Sequence, residues 1–314
     1  NNGADPGDYC DGEPSSWHGT HVHGTIAASS GGYPVISGIA PEANVVHARA
    51  LGTCGGYRSD IVAAMLWAAG FDFTDFGIGN NEYPADVINM SLGGSGICDP
   101  MYDEALAYLR GITDTLVVVS AGNGYDPAAG SSPAGCETAL TVASSGSSGD
   151  RAYYSNYGVN VDLTAPGGDW CDSAFSQWLE GDFENCMDSV DVYGYDLVDF
   201  NMILSTLNDG VTGPGDPTYA FYQGTSMAAP HVTGVAALVL AANPELNADQ
   251  LEEVLIGSTV DFGNHEYENY YVELLRGLDD YSCNLHEYMC GTGIVNAYNA
   301  VNLALATEGT DGSR

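Results

Sequence analysis

Short apolar runs rich in β-branched residues alternate along this chain with segments of helical periodicity, and this alternation constrains the fold more than any other feature. The predicted strands are Val45–Leu51, Val87–Leu92, Leu116–Ala121, Ala139–Ala143 and Val159–Thr164. The predicted helices are Ser59–Ala69, Met101–Ile112, Ser226–Ala242, Ala248–Ile256 and Val295–Ala306. Strands that alternate with helices favour a parallel sheet with helices on both faces. The sequence therefore predicts an α/β fold with a three-layer, doubly wound, mostly parallel sheet.

Two segments interrupt the alternation, at about 169–200 and 262–289. The first holds nine acidic residues between Asp169 and Asp199 and no basic one, and the second is rich in tyrosine and acid. Both are expected to be surface insertions in a single domain that spans residues 1–314, a length that allows a substantial buried core. Either they are solvated loops, or they contribute to substrate binding.

The chain is strongly acidic, with 42 acidic and 6 basic residues and a formal net charge of −36. A surface of this sign repels phosphate, which argues against a nucleic-acid partner and against docking on anionic lipid. No apolar run approaches the roughly 20 residues that a membrane span needs. Self-repulsion on this scale favours a salty medium or bound divalent cations, and a surface that serves only solubility is the alternative.

Eight cysteines, an even number without a Cys-x-x-Cys pair, favour disulfide bonds in an oxidising, extracellular location. Because short loops close most readily, we expect neighbours in sequence to pair. The expected pairs are Cys10–Cys54, Cys98–Cys136, Cys171–Cys186 and Cys283–Cys290. The polar stretch Asn1–Cys10 is not a signal peptide, so any export signal is expected to lie outside this sequence.

Four short motifs carry the residues of chemical interest. They are His18–Thr25, Asn89–Gly94, Ser120–Gly124 and Gly224–Val232. Each is predicted to lie at the carboxyl end of a strand or the amino end of a helix, which is where ligands bind in open α/β sheets.

These motifs contain the parts of a serine nucleophile site. Ser226 is predicted at a helix N-terminus, with Pro230 in or near the first turn, and the helix dipole there favours developing negative charge. His18 is the candidate base that would activate the serine. The side-chain amide of Asn123 and the backbone N–H of Ser226 are candidate donors to an oxyanion. From the residues alone, this is the hypothesis of a Ser/His hydrolase.

In combination, the motifs HGTHVHGTIAA, VINMSLGG, SAGN and GTSMAAPHVTG resemble those of the subtilisin-like serine proteases (subtilases, peptidase S8), in particular the secreted, disulfide-containing bacterial type. The resemblance implies a subtilisin-like fold with His18 as general base, Ser226 as nucleophile and Asn123 as oxyanion donor. The implied substrate-binding residues are Ser91, Leu92, Gly93, Gly94, Ser120, Ala121, Gly122 and Thr225. His21, His23 and His231 are expected to be structural.

The function implied by the resemblance is that of a secreted serine endopeptidase acting on protein or peptide substrates, and we expect a monomer. The lack of bulky residues at Ser91–Gly94 and Ser120–Gly122 predicts a broad specificity. An esterase or lipase is less favoured, because Gly224–Ala228 departs from the Gly-x-Ser-x-Gly pattern at its last position.

The resemblance also implies a catalytic Asp, in an Asp-Ser/Thr-Gly motif upstream of the histidine, and Asn1–Trp17 contains no such motif. Three explanations stay open: an upstream segment outside this sequence, a cleaved N-terminal segment that remains docked, or a catalytically impaired scaffold that binds peptides. A parallel sheet without one of its central strands would lose hydrogen-bond partners and core, which favours the first two.

No cofactor is expected to take part in the chemistry, but structural Ca²⁺ is expected. Asp5 and Asp8, with Asp11 nearby, are the candidate ligands, because calcium prefers carboxylate and carbonyl oxygens. The loop Ser29–Ile36 could add carbonyl oxygens, as the corresponding loop does in the family. A solvated acidic loop is the alternative.

Overall fold

The computed structural model describes residues 14–31, 36–52, 54–169, 201–262, 283 and 289–307. The helices are α1 (His18–Ala27), α2 (Arg58–Ala68), α3 (Pro100–Tyr108), α4 (Thr225–Ala242), α5 (Ala248–Gly257) and α6 (Ala297–Thr307). The strands are β1 (Val87–Met90), β2 (Gly94–Ser95), β3 (Leu116–Ser120), β4 (Ser131–Ser132), β5 (Leu140–Ser145), β6 (Leu163–Pro166), β7 (Ile203–Asn208) and β8 (Pro217–Tyr222).

Four parallel strands form the central sheet, in the order β1-β3-β5-β6. Alternate residues of β3 point to opposite faces, as the period of a strand requires. Leu116 and Val118 pack in one core with α4, α5 and α6, whereas Val117 and Val119 pack in a second core with α2 and α3. This three-layer arrangement confirms the predicted α/β fold.

The prediction of a strand at Val45–Leu51 is wrong, because this segment does not form a strand in the structure. No strand of the described part of the chain pairs with it, and an extended segment needs a neighbour to form a ladder. The strand predicted at Val159–Thr164 begins later in the structure, where β6 starts at Leu163. A turn closed by the Val161 N–H on the Gly158 carbonyl (2.9 Å) occupies the start of that run.

The antiparallel hairpin β7–β8 was not predicted, and it contacts α1 through His21. The His21 Nε2 lies 3.0 Å from the carbonyl oxygens of both Ile203 and Ala220. The His21 ring stacks on Tyr222 with a centroid distance of 4.5 Å. Because a carbonyl oxygen only accepts, Nε2 must carry the proton, and the fully buried His21 joins α1 to the hairpin.

Two of the expected disulfides, Cys98–Cys136 and Cys283–Cys290, are present. Cys54 is also disulfide-bonded. The remaining cysteines, Cys10, Cys171 and Cys186, lie outside the described residues, as does most of the two predicted insertions.

Helix α4 is, within the described residues, the one helix whose length and composition would suffice to cross a membrane. Of its 18 residues, 61% are buried inside the protein. It packs against α1, α6 and the central sheet, as the core helix of a layered domain does.

Candidate active site

A cavity of about 600 Å³ lies where the carboxyl ends of β1 and β3 meet the amino end of α4. Ser226, the second residue of α4, and Asn123, in the loop that follows β3, both line it. Parallel strands place the loops at their carboxyl ends side by side, which brings together motifs separated by about a hundred residues of sequence. The predicted nucleophile and the predicted oxyanion donor therefore face one cavity.

The side-chain amide of Asn123 is held in one orientation by Thr225. The backbone N–H and the hydroxyl of Thr225 both donate to Asn123 Oδ1, each at 2.9 Å. The Thr225 Oγ1 in turn accepts from the N–H of Gly122 at 3.1 Å. With its oxygen so engaged, the amide presents Nδ2 as the free donor.

The Asn123 amide nitrogen and the Ser226 N–H lie around the same point in space. A Cβ built on Gly224 would lie 3.4 Å from Asn123 Nδ2 and 3.7 Å from the Ser226 backbone nitrogen. Gly224 has φ +148°, a conformation that other residues rarely adopt, and its lack of a side chain leaves this point open. Both nitrogens lie close to Ser226, so the Asn123 amide and the Ser226 N–H are candidate donors to an oxyanion.

Pro230 lies inside α4 as its sixth residue, so the expectation that it falls in or near the first turn is corrected. A proline has no N–H, and the carbonyl of Ser226, four residues earlier, therefore lacks its helical partner. The Ser91 hydroxyl donates to that carbonyl instead, at 2.8 Å. The Ser226 Oγ lies 3.5 Å from the Ser91 carbonyl oxygen. Ser226 is thus joined to the residue that follows β1.

His18 is the first residue of α1 and is half-buried. Burial lowers the pKa of its imidazole to about 4, so the ring is neutral near pH 7 and able to accept a proton. Among the residues that the structure describes, no hydrogen bond joins the His18 ring to Ser226, and no carboxylate bonds to it. Such contacts are often long in unliganded enzymes.

His18 lines a second cavity, of about 1030 Å³, which has the form of a groove beside β1. The groove is lined by β1, whose other edge pairs with β3, and by residues 43–51. The groove-side edge of β1 has no strand partner within the described residues. His23 also lines the groove, and its buried Nδ1 has no hydrogen-bond partner there.

The predicted substrate-binding residues divide between these cavities and the core. Six of them line the 600 Å³ cavity: Leu92, Gly93, Gly94, Ser120, Gly122 and Thr225. Ser91 lines the groove instead. Ala121 is fully buried and lines neither cavity.

Asn156 lies beneath the Asn123 loop and was missed in the sequence. Its Oδ1 accepts from the N–H groups of Gly124 (2.9 Å) and Asp126 (3.0 Å). Its Nδ2 donates to the Ala121 carbonyl at 3.0 Å and to a serine hydroxyl on β4 at 2.9 Å. One buried side chain thus fixes the loop on both sides of Asn123, and no spacing or motif distinguishes it in the sequence.

The described residues contain one cluster of His, Cys, Asp or Glu side chains with the spacing of a metal site. Their one group of three possible ligands is Cys98, Asp103 and Cys136, and both sulfurs are consumed by the disulfide. The predicted calcium ligands Asp5 and Asp8 lie outside the described residues.

Comparison with known proteins agrees with this geometry. The sequence profile of the Subtilase family (peptidase S8) matches residues 1–279. The chain is 40% identical to the "Extracellular protease" of Xanthomonas campestris, over 93% of this chain and 41% of that protein. It is 35% identical to the "Extracellular basic protease" of Dichelobacter nodosus, over 98% of this chain and 45% of that protein.

Among solved structures, proteases from Pseudoalteromonas arctica PAMC 21717 align with a TM-score of 0.71 at 40% identity, covering 93% of this chain and 72% of that one. The chain spans less than half the length of the two curated relatives. With most of its length matched by the family profile and with this fold, the chain belongs to the subtilase family of serine proteases.

Proposed function

We propose that this chain is the catalytic domain of a secreted serine endopeptidase that hydrolyses peptide bonds through an acyl-enzyme on Ser226. The observation that carries the proposal is that Ser226 and Asn123 line one cavity, with Asn123 Nδ2 and the Ser226 nitrogen both within 4 Å of the open position beside Gly224. The names of the two curated relatives, both described as extracellular proteases, support the same reaction and the same location.

The proposed reaction assigns one step to each of these groups. The neutral His18 imidazole takes the proton from Ser226 Oγ as the oxygen attacks the substrate carbonyl. The carbonyl oxygen becomes an oxyanion between Asn123 Nδ2 and the Ser226 N–H. His18 then gives its proton to the leaving amine, and a water molecule, activated in the same way, releases the acyl group.

The substrate would bind as an extended segment along Ser91–Gly94 and Ser120–Gly122. Glycine and serine dominate these strand ends, so a peptide backbone can approach closely and pair with them. The small residues around the 600 Å³ cavity leave room for varied side chains. We therefore propose a broad specificity.

We further propose that an extended segment carrying the catalytic Asp occupies the groove beside β1. The groove is lined by β1, whose free edge has no partner among the described strands, and by residues 43–51. An added strand would satisfy that edge and would give residues 43–51 the neighbour they lack. Its carboxylate would bond to His18 and fix the tautomer of the imidazole.

Denaturing intact-mass analysis of the protein from its natural source, with and without a fluorophosphonate serine reagent, tests both proposals. We expect one reagent per chain at Ser226, together with a second chain or an upstream extension that carries an Asp-Ser/Thr-Gly segment. Labelling without any such segment would contradict the occupied groove but not the nucleophile. A folded sample that resists the reagent would favour the impaired, peptide-binding scaffold.

The pH dependence of the labelling rate tests separately whether a carboxylate lies beside the His18 ring. His18 must be neutral to act as a base, so the rate should rise with pH through its pKa. For the chain of this sequence alone we expect that rise near pH 4, because burial lowers this pKa to about 4. With a carboxylate beside the ring, which favours the charged form, the rise should move to higher pH by more than one unit. Identical pH–rate profiles for the chain of this sequence alone and for the protein from its natural source would contradict the docked Asp.

Calcium and salt are proposed as stabilisers of an acidic, monomeric protein without a nucleic-acid partner. With 42 acidic against 6 basic residues, cations are expected to reduce self-repulsion. The melting temperature should rise between low salt and 1 M NaCl, and should fall when EDTA removes Ca²⁺ held by Asp5 and Asp8. Choline chloride at the same ionic strength separates screening from specific binding, and a flat or falling response to NaCl would contradict the halophilic character.

A further inference from the structure

Within the described part of the chain, Asp126 is the one acidic residue that lines the Ser226 cavity. The other described residues that line the cavity are uncharged and mostly glycine and serine. The electrostatic character of this cavity therefore depends on one carboxylate.

The position of Asp126 is fixed by its backbone. Its N–H donates to Asn156 Oδ1 at 3.0 Å, and its carbonyl accepts from the Tyr157 N–H at 3.2 Å. A Cβ built on Gly124 would lie 3.0 Å from Asp126 Oδ2. The carboxylate thus lies against Gly124, the residue that follows Asn123.

No cation of the described chain neutralises this carboxylate. Among the described residues, no arginine forms an ion pair with Asp126, and no donor is hydrogen-bonded to its side chain. Arg151 instead lies over the rings of Tyr125 (4.8 Å) and Tyr157 (5.2 Å) and donates to the Ser155 carbonyl at 2.6 Å. A carboxylate without a partner at the edge of a binding cavity favours a ligand that brings a cation, because charge-assisted hydrogen bonds are the stronger ones.

We propose that Asp126 is a specificity-determining residue that favours Arg or Lys as the residue whose carbonyl Ser226 attacks. This inference rests on the proposed function and names the substrate class within its broad specificity. The cavity, at about 600 Å³, has room for a long side chain. The net charge of −36 also favours cationic substrates, because it raises the local concentration of cationic peptides near the protein.

The test compares two peptide substrates that differ only in Arg against citrulline, a neutral residue of nearly the same shape, before the scissile bond. We expect kcat/KM for the Arg peptide to exceed that for the citrulline peptide by about fivefold at low salt, the scale of a partly exposed ion pair. Asp126→Asn should bring that ratio close to one, mainly by slowing the Arg peptide. Glu253→Gln, an exposed substitution on α5 with the same change in net charge, should leave the ratio unchanged.

The outcomes separate this inference from the function on which it rests. Equal rates for the two peptides, or a ratio that Asp126→Asn leaves unchanged, would overturn the inference while cleavage itself stands. If both Asp126→Asn and Glu253→Gln lower the ratio equally, net charge rather than Asp126 sets the preference, and the inference also fails. If neither peptide is cleaved and fluorophosphonate does not label Ser226, the proposed function fails first.

Discussion

Ser226→Ala is expected to abolish both fluorophosphonate labelling and peptide hydrolysis. The substitution removes the Oγ that forms the acyl bond while it leaves the Ser226 N–H and Asn123 in place. In subtilisin, a member of the same family, loss of the serine lowers kcat by on the order of a million-fold. Intact mass after labelling and the rate of peptide cleavage measure the effect. The melting temperature should change little, because a partly exposed hydroxyl is removed.

Ser59→Ala is the matched control for this experiment. It removes the same hydroxyl from an exposed position on α2 that lines neither cavity. Ser59→Ala should be labelled by fluorophosphonate to the same extent as the parent chain and should cleave the peptide at the same rate. Stoichiometric labelling of Ser226→Ala would show that another residue is the nucleophile.

Asn123→Ala is expected to lower kcat by about 10²–10³-fold, which is the effect of removing one oxyanion donor in subtilisin. KM should stay nearly constant, because the amide bonds to the oxyanion and this interaction forms only in the transition state. Steady-state kinetics on one peptide amide measure both parameters. A fall in kcat/KM that came from KM alone would place Asn123 in ground-state binding instead.

Two substitutions of Thr225 test whether the orientation of the Asn123 amide matters. Thr225→Ser keeps the hydroxyl that donates to Asn123 Oδ1 and accepts from the Gly122 N–H. Thr225→Val removes that hydroxyl at nearly constant volume and leaves the half-buried Gly122 N–H without this acceptor. We expect a loss in kcat for Thr225→Val that is smaller than that for Asn123→Ala, and near-parent activity for Thr225→Ser.

The elements that the sequence predicted well are those whose pattern is local. Strand β3 is a continuous apolar run buried on both faces, and α2 presents an apolar stripe with Ile61 and Met65 in the core. Helix α4 was placed to within one residue because its apolar composition extends over its full length. The family resemblance located Ser226 and Asn123, which the structure brings to one cavity.

The features that the sequence did not reveal depend on distant partners. The apolar, β-branched run 45–51 resembles a strand, but strand formation requires a neighbour, and none lies beside it in the described chain. The four hydrogen bonds of Asn156 reach residues 25–35 positions away. Asp126 gains its importance only from its position at the cavity. Such placement follows from the assembled sheet, and local periodicity carries no information about it.

The proline in α4 determines which residue donates a hydrogen bond to the Ser226 carbonyl. Because Pro230 leaves the Ser226 carbonyl without a helical partner, the Ser91 hydroxyl can bond to it, and Ser91 also lines the groove beside β1. A single hydrogen bond therefore connects the wall of the groove to the backbone of the nucleophile. A strand docked in the groove would therefore lie beside Ser91, the residue that holds the Ser226 carbonyl.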